Sequence, residues 1–137
     1  MPLNYLKRLN IFSMHENQIS YSIRGAIFNV YRKLGPGLLE SIYELALFYE
    51  IKKMGLDVSR QVDLPIHYEN EVLGHYRIDL LVENKVIIEI KSVIELLPVH
   101  HKQLLTYLKL SQNKLGLLVN FNVSDAKNGI IRIVNGL

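Results

Sequence analysis

The sequence predicts an α/β (α+β) domain in which helices flank one mixed β-sheet, with an αβββαβ core. Three observations carry this prediction. Apolar residues in the first third of the chain recur at three- and four-residue steps, as they do in amphipathic helices. Three strand patterns separated by short polar turns follow one another between residues 57 and 92. The later run Leu115–Phe121 is almost entirely apolar, which is typical of a strand covered on both faces.

The composition fits one cytoplasmic domain. The 137 residues are 49% hydrophobic, so the chain can bury a sizeable core, and no apolar run approaches the ~18 residues of a membrane helix. The first residues lack the pattern of a signal peptide, and the absence of cysteine excludes disulfides and thiolate zinc sites. The net charge of +3 weakly favours a polyanionic partner. We expect residues 1–16 to form a tail, residues 17–137 to form one domain, and the protein not to bind membranes.

Three helices are expected. The apolar face of Asn17–Leu34 predicts the first, which Gly35-Pro36-Gly37 should end. The second should span Leu38–Met54, with Gly55 just past its end. Pro98 is tolerated at a first helical position and should open the third helix, which reaches about Ser111.

Glu40 lies in the first turn of the second predicted helix, where the helix dipole favours a carboxylate. That is a sufficient structural reason for an acid at this position. Glu40 also shares one side of the helix with Tyr43, Glu44 and Leu47, so it could project from the helix start toward a site.

The strands form a meander over about 57–68, 75–83 and 85–92, and 129–134 should add a short closing strand. Pro65 cannot donate a ladder hydrogen bond, which indicates an edge strand or a bulge. Asn84 in a short polar link predicts a hairpin turn at residues 83–85.

A hairpin symmetric about Asn84 places Asp79 opposite Glu89, with Cβ atoms ~5 Å apart. Two carboxylates this close repel each other. A divalent cation would remove the repulsion, and Lys91 on the same face would offset part of it. The spacing therefore predicts a metal site beside a lysine. The alternative is that Glu89 and Lys91 form the solvent face of an amphipathic strand, and this stretch alone leaves both interpretations open.

Three polar residues of the third predicted helix share one side. Gln103 and Tyr107 are four residues apart, and His100 precedes Gln103 by three. An ordinary half-exposed helix surface is the alternative interpretation. His100 and His101 are adjacent and point about 100° apart on a helix, so a histidine zinc site is not expected.

These residues together resemble the PD-(D/E)xK nuclease superfamily, and more closely its small GxxExxY family. The likeness covers residue 17 to the C-terminus. It rests on four motifs in the expected order, which are Gly37-Leu38-Leu39-Glu40-Ser41-Ile42-Tyr43, Arg77-Ile78-Asp79, Glu89-Ile90-Lys91 and Gln103-Leu104-Leu105-Thr106-Tyr107. Ile78 occupies the place of the nominal proline, a position that varies within the superfamily.

The resemblance implies a restriction-endonuclease-like fold and a nuclease that hydrolyses DNA, or RNA, with Mg²⁺ or Mn²⁺. The implied metal ligands are Asp79, Glu89, Glu40 and the carbonyl of Ile90. The implied catalytic residues are Glu40, Asp79, Glu89, Lys91 and Gln103, and substrate contacts are assigned to Tyr107, His100 and Tyr43. Lys91 would orient the attacking water or stabilise charge on the phosphate. A homodimer is a further expectation. The alternative function is a non-catalytic nucleic-acid-binding or assembly module that retains the nuclease fold.

Overall fold

The computed structural model describes residues 14–137. Their elements are α1 (Glu16–Leu34), α2 (Glu40–Lys53), β1 (Val58–Tyr68), β2 (Glu71–Val82), β3 (Val86–Lys91), α3 (Pro98–Ser111), β4 (Leu115–Asn120), a 3₁₀ helix (Ala126–Gly129) and β5 (Ile130–Val134). This order confirms the predicted mixed α+β fold. The short 3₁₀ helix was not predicted. No helix in the described part of the chain is long and apolar enough to cross a membrane.

Residues 1–13 of the predicted tail lie outside the described residues. Of the remaining tail residues, Glu16 begins α1 and His15 caps it, because the His15 ring accepts a hydrogen bond from the Asn17 N–H. Met14 packs against the core. The extent of the domain otherwise stays a prediction.

The five strands form one sheet in the order β1-β2-β3-β4-β5. The first three make the predicted antiparallel meander, β4 runs parallel to β3, and β5 closes the sheet antiparallel to β4. The parallel step needs a crossover connection, which α3 provides. Pro65 lies on the edge strand β1, next to a bulge between Ile66 and His67, so both structural reasons expected for this proline are confirmed.

Helices cover both faces of the sheet. On the α1–α2 face, Ile88 and Ile90 of β3 pack with apolar residues of both helices. On the α3 face, Ile87 packs with Leu104 and Leu108. Because successive strand residues alternate between faces, Glu89 and Lys91 follow Ile87 onto the α3 face. All six residues of β4 are buried, as its apolar run predicts.

The first two strands exchange faces halfway along their length. Val58 packs on the α1–α2 face, whereas Val62 and Leu64 pack on the α3 face. The paired strand β2 does the same, with Leu80 and Ile78 on opposite faces although they are two residues apart. The pairing register is continuous, from Arg60↔Leu80 to Val62↔Ile78. The exchange therefore occurs at the residues between them.

Those residues are Gln61, whose φ of 50° lies in the left-handed region, and Asp79. A non-glycine residue with positive φ is uncommon, and such residues cluster at functional sites. Asp79 therefore lies where the β1–β2 pair rotates, between the two faces of the sheet.

Candidate functional site

The β2–β3 hairpin has the register that the sequence predicts. Glu83 and Asn84 both have φ of 54°, as hairpin turns require, and the Lys85 N–H donates to the Val82 carbonyl at 3.0 Å. Backbone pairing runs from Val82↔Val86 to Leu80↔Ile88. The next pair in this register is Asp79 and Glu89.

At this pair the two side chains take over the hydrogen bonding between the strands. The Asp79 N–H donates to Glu89 Oε1 at 3.1 Å, and the Ile90 N–H donates to Asp79 Oδ2 at 2.8 Å. Each carboxyl group thus accepts a backbone N–H from the opposite strand. The strands part here, and both acidic groups lie in the gap between them.

Glu89 is only 4% exposed, so the solvent-face interpretation of this residue is wrong. Burial first, and the neighbouring Asp79 charge second, raise the pKa of Glu89 to about 9. Burial also raises the pKa of Asp79, against the opposing effect of the Ile90 N–H. A pKa of about 9 keeps the Glu89 carboxyl protonated at neutral pH.

Lys91 extends from the end of β3 on the same face as Glu89 and is half-buried. Among residues 14–137 it forms no ion pair, and its charge lowers the pKa of both Asp79 and Glu89, although less than burial raises them. The strand end is fixed by the Lys91 carbonyl, which accepts from the Phe121 N–H at 3.0 Å. The ammonium group is therefore close to the acidic pair and is not neutralised by a described carboxylate.

Glu40 is the first residue of α2, and it lines a cavity of about 220 Å³ together with Ser41, Glu44, Gln61 and Asp79. Its Oε1 accepts a hydrogen bond from the Ser92 N–H at 3.3 Å. The expected convergence of Glu40, Asp79 and Glu89 on one ion is not found, since no three acidic, histidine or cysteine side chains of the described chain are placed to hold a metal. The physical reason is that Glu40 binds the segment after β3 instead.

Glu44 is a site residue that sequence reasoning missed. It is 5% exposed, forms an ion pair with Arg60 at 2.9 Å and accepts from the Gln61 amide at 2.6 Å. Its charge raises the pKa of Asp79, after the larger effect of burial. The helical pattern placed Glu44 beside Glu40. Only the approach of Arg60 and Gln61 from β1 explains why this acid is buried.

Gln103 and Tyr107 lie next to the acidic pair, on the α3 face. The Gln103 amide donates to the Tyr107 hydroxyl at 2.9 Å. Tyr107 is buried, and its pKa is raised first by burial and then by the charge of Glu89. Gln103 itself is exposed. The alternative of an ordinary half-exposed helix surface therefore holds for Gln103 but not for the buried Tyr107.

Tyr43 and His100, which are expected to contact the substrate, both have structural roles in the described chain. Tyr43 is fully buried, its ring stacks on Phe121 with centroids 4.3 Å apart, and its hydroxyl accepts from the Leu38 N–H and donates to the Gly35 carbonyl. It therefore holds the loop between α1 and α2. His100 Nδ1 accepts from the Leu97 N–H at 2.9 Å, which caps the start of α3.

Ile90 presents backbone rather than side-chain atoms to the site. Its side chain packs in the core, while its N–H points to Asp79. The carbonyl of a strand residue points toward the same edge as its N–H, so the Ile90 carbonyl is directed to the gap between β2 and β3. Two carboxyl groups and one carbonyl supply the hard oxygen atoms that Mg²⁺ and Mn²⁺ prefer. The donor set fits such an ion without a third carboxylate.

A mixed sheet with an acid pair and a lysine at the point where two strands part defines the restriction-endonuclease-like class of fold and site. The family model of the PD-(D/E)XK nuclease superfamily matches residues 17–133, and the chain belongs to that superfamily. No curated protein and no solved structure gives a significant match to this chain.

Proposed function

We propose that this protein is a divalent-metal-dependent nuclease that hydrolyses phosphodiester bonds of DNA, and that it belongs to the GxxExxY family within its superfamily. The observation that carries the proposal is the Asp79–Glu89 pair, in which Glu89 is buried and Asp79 half-buried, with the ammonium group of Lys91 beside it. Removing two neighbouring acids from water is costly unless a cation or a proton compensates them. A bound divalent cation would compensate the two negative charges, and this function explains why two acids occupy these positions.

The residues that would hold Mg²⁺ or Mn²⁺ are Asp79, Glu89 and the Ile90 carbonyl. Mg²⁺ is commonly bound through one or two carboxylates and several waters, so two acids suffice. Glu40 shares a cavity with Asp79 and is proposed to act through a water molecule. When bound, the ion would supply Lewis-acid polarisation of the phosphodiester and a more acidic water.

The residues around this pair have separate proposed roles. Lys91 stabilises the negative charge that develops on the phosphate, since a fixed cation in a site sheltered from water is effective there. Gln103 holds the Tyr107 hydroxyl at the edge of the site. Glu44, held by Arg60, lies behind Asp79 and keeps a second negative charge close to it.

The alternative is a non-catalytic nucleic-acid-binding module. A protein that only binds a polyanion gains nothing from two acidic side chains beside the bound strand, because carboxylates repel phosphates. The presence of Asp79, Glu89 and Lys91 together therefore favours the enzyme.

The experiment that separates the two is cleavage of single-stranded, duplex and branched DNA with Mg²⁺ or Mn²⁺, by the wild type and by Lys91→Ala. Losing a donor that acts in the transition state costs ~10²–10³ in rate, while substrate binding changes little. Lys109→Ala, which removes an exposed lysine elsewhere on α3, is the matched control and should cut normally. A wild type that cuts nothing, with Lys91→Ala weakening binding only, would establish the binding module.

Three finer expectations stay proposals. The preference for DNA is supported only by the family resemblance, and the same panel made of RNA decides it. Sedimentation velocity at micromolar concentration decides whether the chain is a homodimer. The cytoplasmic location remains a prediction from the absence of cysteine.

A further inference from the structure

A groove of about 330 Å³ opens between β2 and α3 beside the acidic pair. Tyr76, Val99, Lys102, Gln103, Thr106 and Tyr107 line it. The rings of Tyr76 and Tyr107 meet at a centroid distance of 5.6 Å with an interplanar angle of 47°. Tyr107 is also the α3 residue on which the charge of Glu89 acts, so this groove and the acidic pair are neighbours.

Tyr76 differs from the buried aromatic residues of the protein because 48% of it is exposed. It lies on the α3 face three residues before Asp79, and its ring meets that of Tyr107 at a tilt rather than face to face. A large aromatic side chain held by a strand loses little conformational freedom on binding. The exposed part of the ring is therefore suited to stack on a flat, apolar ligand.

The rest of the lining indicates which flat ligand fits. Val99 adds an apolar wall and Gln103 adds an amide. Lys102 lies at the groove on exposed α3 surface, and among the described residues no carboxylate pairs with it. The volume is at the lower end of the ~300–1,000 Å³ of small-ligand sites, which suits one nucleobase rather than a base pair. An aromatic platform with a free cation is the combination that binds single-stranded nucleic acid.

We propose that this groove binds one unpaired nucleobase of the substrate strand, stacked on Tyr76, while Lys102 contacts its phosphate. This inference rests on the proposed nuclease function for its substrate class and adds to it a requirement for an unpaired nucleotide beside the cut. A base within a duplex is stacked on its neighbours and cannot enter the groove. The preferred substrates are therefore single strands, flaps or frayed ends, of DNA or RNA.

Binding measured by fluorescence anisotropy in EDTA tests the groove independently of cleavage. The probes are a short single strand, as DNA and as RNA, and a blunt duplex with GC-rich ends. Stacking on one aromatic side chain is worth ~1–3 kcal/mol, so Tyr76→Ala should weaken single-strand binding about 5- to 150-fold. Tyr76→Phe keeps the ring face and should bind like the wild type. Tyr49→Ala, an exposed tyrosine on the opposite helix layer, is the matched control and should have no effect.

A single strand that carries one abasic nucleotide tests the contact directly. At one position of the strand, the missing base should weaken binding to the wild type as much as Tyr76→Ala weakens binding of the intact strand. Combining the abasic nucleotide with Tyr76→Ala should weaken binding no further than either change alone, since both remove the same contact. Two results would overturn the proposal. One is that Tyr76→Ala weakens binding of the single strand and the duplex equally. The other is that the effects of Tyr76→Ala and of the abasic nucleotide on affinity add at every position of the abasic nucleotide. If the wild type binds as described but cuts nothing with any divalent metal, the groove stands and the nuclease function fails. If it cuts DNA while Tyr76→Ala binds normally, the nuclease stands and the groove fails.

Discussion

Glu89→Gln is the most direct perturbation of the acidic pair, because it removes one titrating group and keeps the shape. The amide oxygen can accept from the Asp79 N–H as Glu89 Oε1 does. The amide group, like the protonated carboxyl group, is neutral and can donate a hydrogen bond. The variant thus reproduces the protonated state of Glu89 and cannot lose its proton.

The expected effect on stability follows from the pKa of Glu89, which is about 9 in the folded protein and 4.5 for an unperturbed glutamate. Between these pH values the folded state holds a proton that the unfolded state has lost. The free energy of unfolding of the wild type therefore falls as the pH rises through this window, by up to about 1.4 kcal/mol per pH unit for one proton. This stability is fully present below pH 4.5 and is lost once the pH passes about 9.

Glu89→Gln has no such proton to lose. It should be about as stable as the wild type near pH 5, and it should become more stable than the wild type by roughly 4 kcal/mol over the next three pH units. Titrating groups that do not interact with Glu89 are shared by both proteins and cancel in the difference. Urea denaturation in EDTA at pH 5.5, 7.0 and 8.5 measures this difference in the free energy of unfolding between Glu89→Gln and the wild type.

The matched control is Glu71→Gln, which removes an exposed acid at the start of β2 and should leave the free energy of unfolding close to that of the wild type. Parallel curves for Glu89→Gln and the wild type across the whole range would mean that Glu89 is already ionised in the folded protein. That result would show that the folded protein holds no proton on Glu89 over this pH range.

Two further predictions concern the metal and the loop before α2. Isothermal calorimetry with Mn²⁺ should detect binding to the wild type and much weaker binding to Asp79→Asn. The same variant should be neutral or stabilising for the metal-free protein, because burial and the charge of Glu44 both disfavour the ionised Asp79 carboxylate. Equal Mn²⁺ affinities would exclude Asp79 as a ligand. Tyr43→Phe should lower the free energy of unfolding by about 1–3 kcal/mol, because it leaves the Leu38 N–H and the Gly35 carbonyl without the hydroxyl, whereas Tyr49→Phe on exposed α2 surface should not. A Tyr43→Phe protein as stable as the wild type would show that water replaces both bonds.

The order of the helices and strands and most of their bounds could be predicted from the sequence because they depend on local patterns, although β2 begins at Glu71 and not near residue 75. Helical periodicity, Gly55 at φ 85° after α2 and Pro98 at the start of α3 act within one or two turns of the chain. The hairpin register follows from a turn of three residues, and it alone brings Asp79 opposite Glu89. The core of the candidate site was therefore predictable, as was Lys91 on the same face.

Residues whose environment depends on distant elements could not be assigned in this way. The helix position of Tyr43 is compatible with a role in the site, yet Phe121, 78 residues later, covers its ring. His100 has the spacing of a site residue, but the extended backbone at Leu97 gives it an N–H to cap. The opposite error concerns Glu44, an acid on a helix whose partners Arg60 and Gln61 come from the next element.

The sequence by itself determined the elements, their order and the pairing of the two acids across the hairpin. Tertiary structure decided that Glu89 is buried, that the β1–β2 pair exchanges faces at Gln61 and Asp79, and that Tyr76 therefore lies over α3 beside the site. The physical reason is that periodicity assumes each strand keeps one face toward one neighbour. A single left-handed residue in a continuous ladder breaks that assumption, and only the packing of helices on both sides of the sheet shows which side chains then meet.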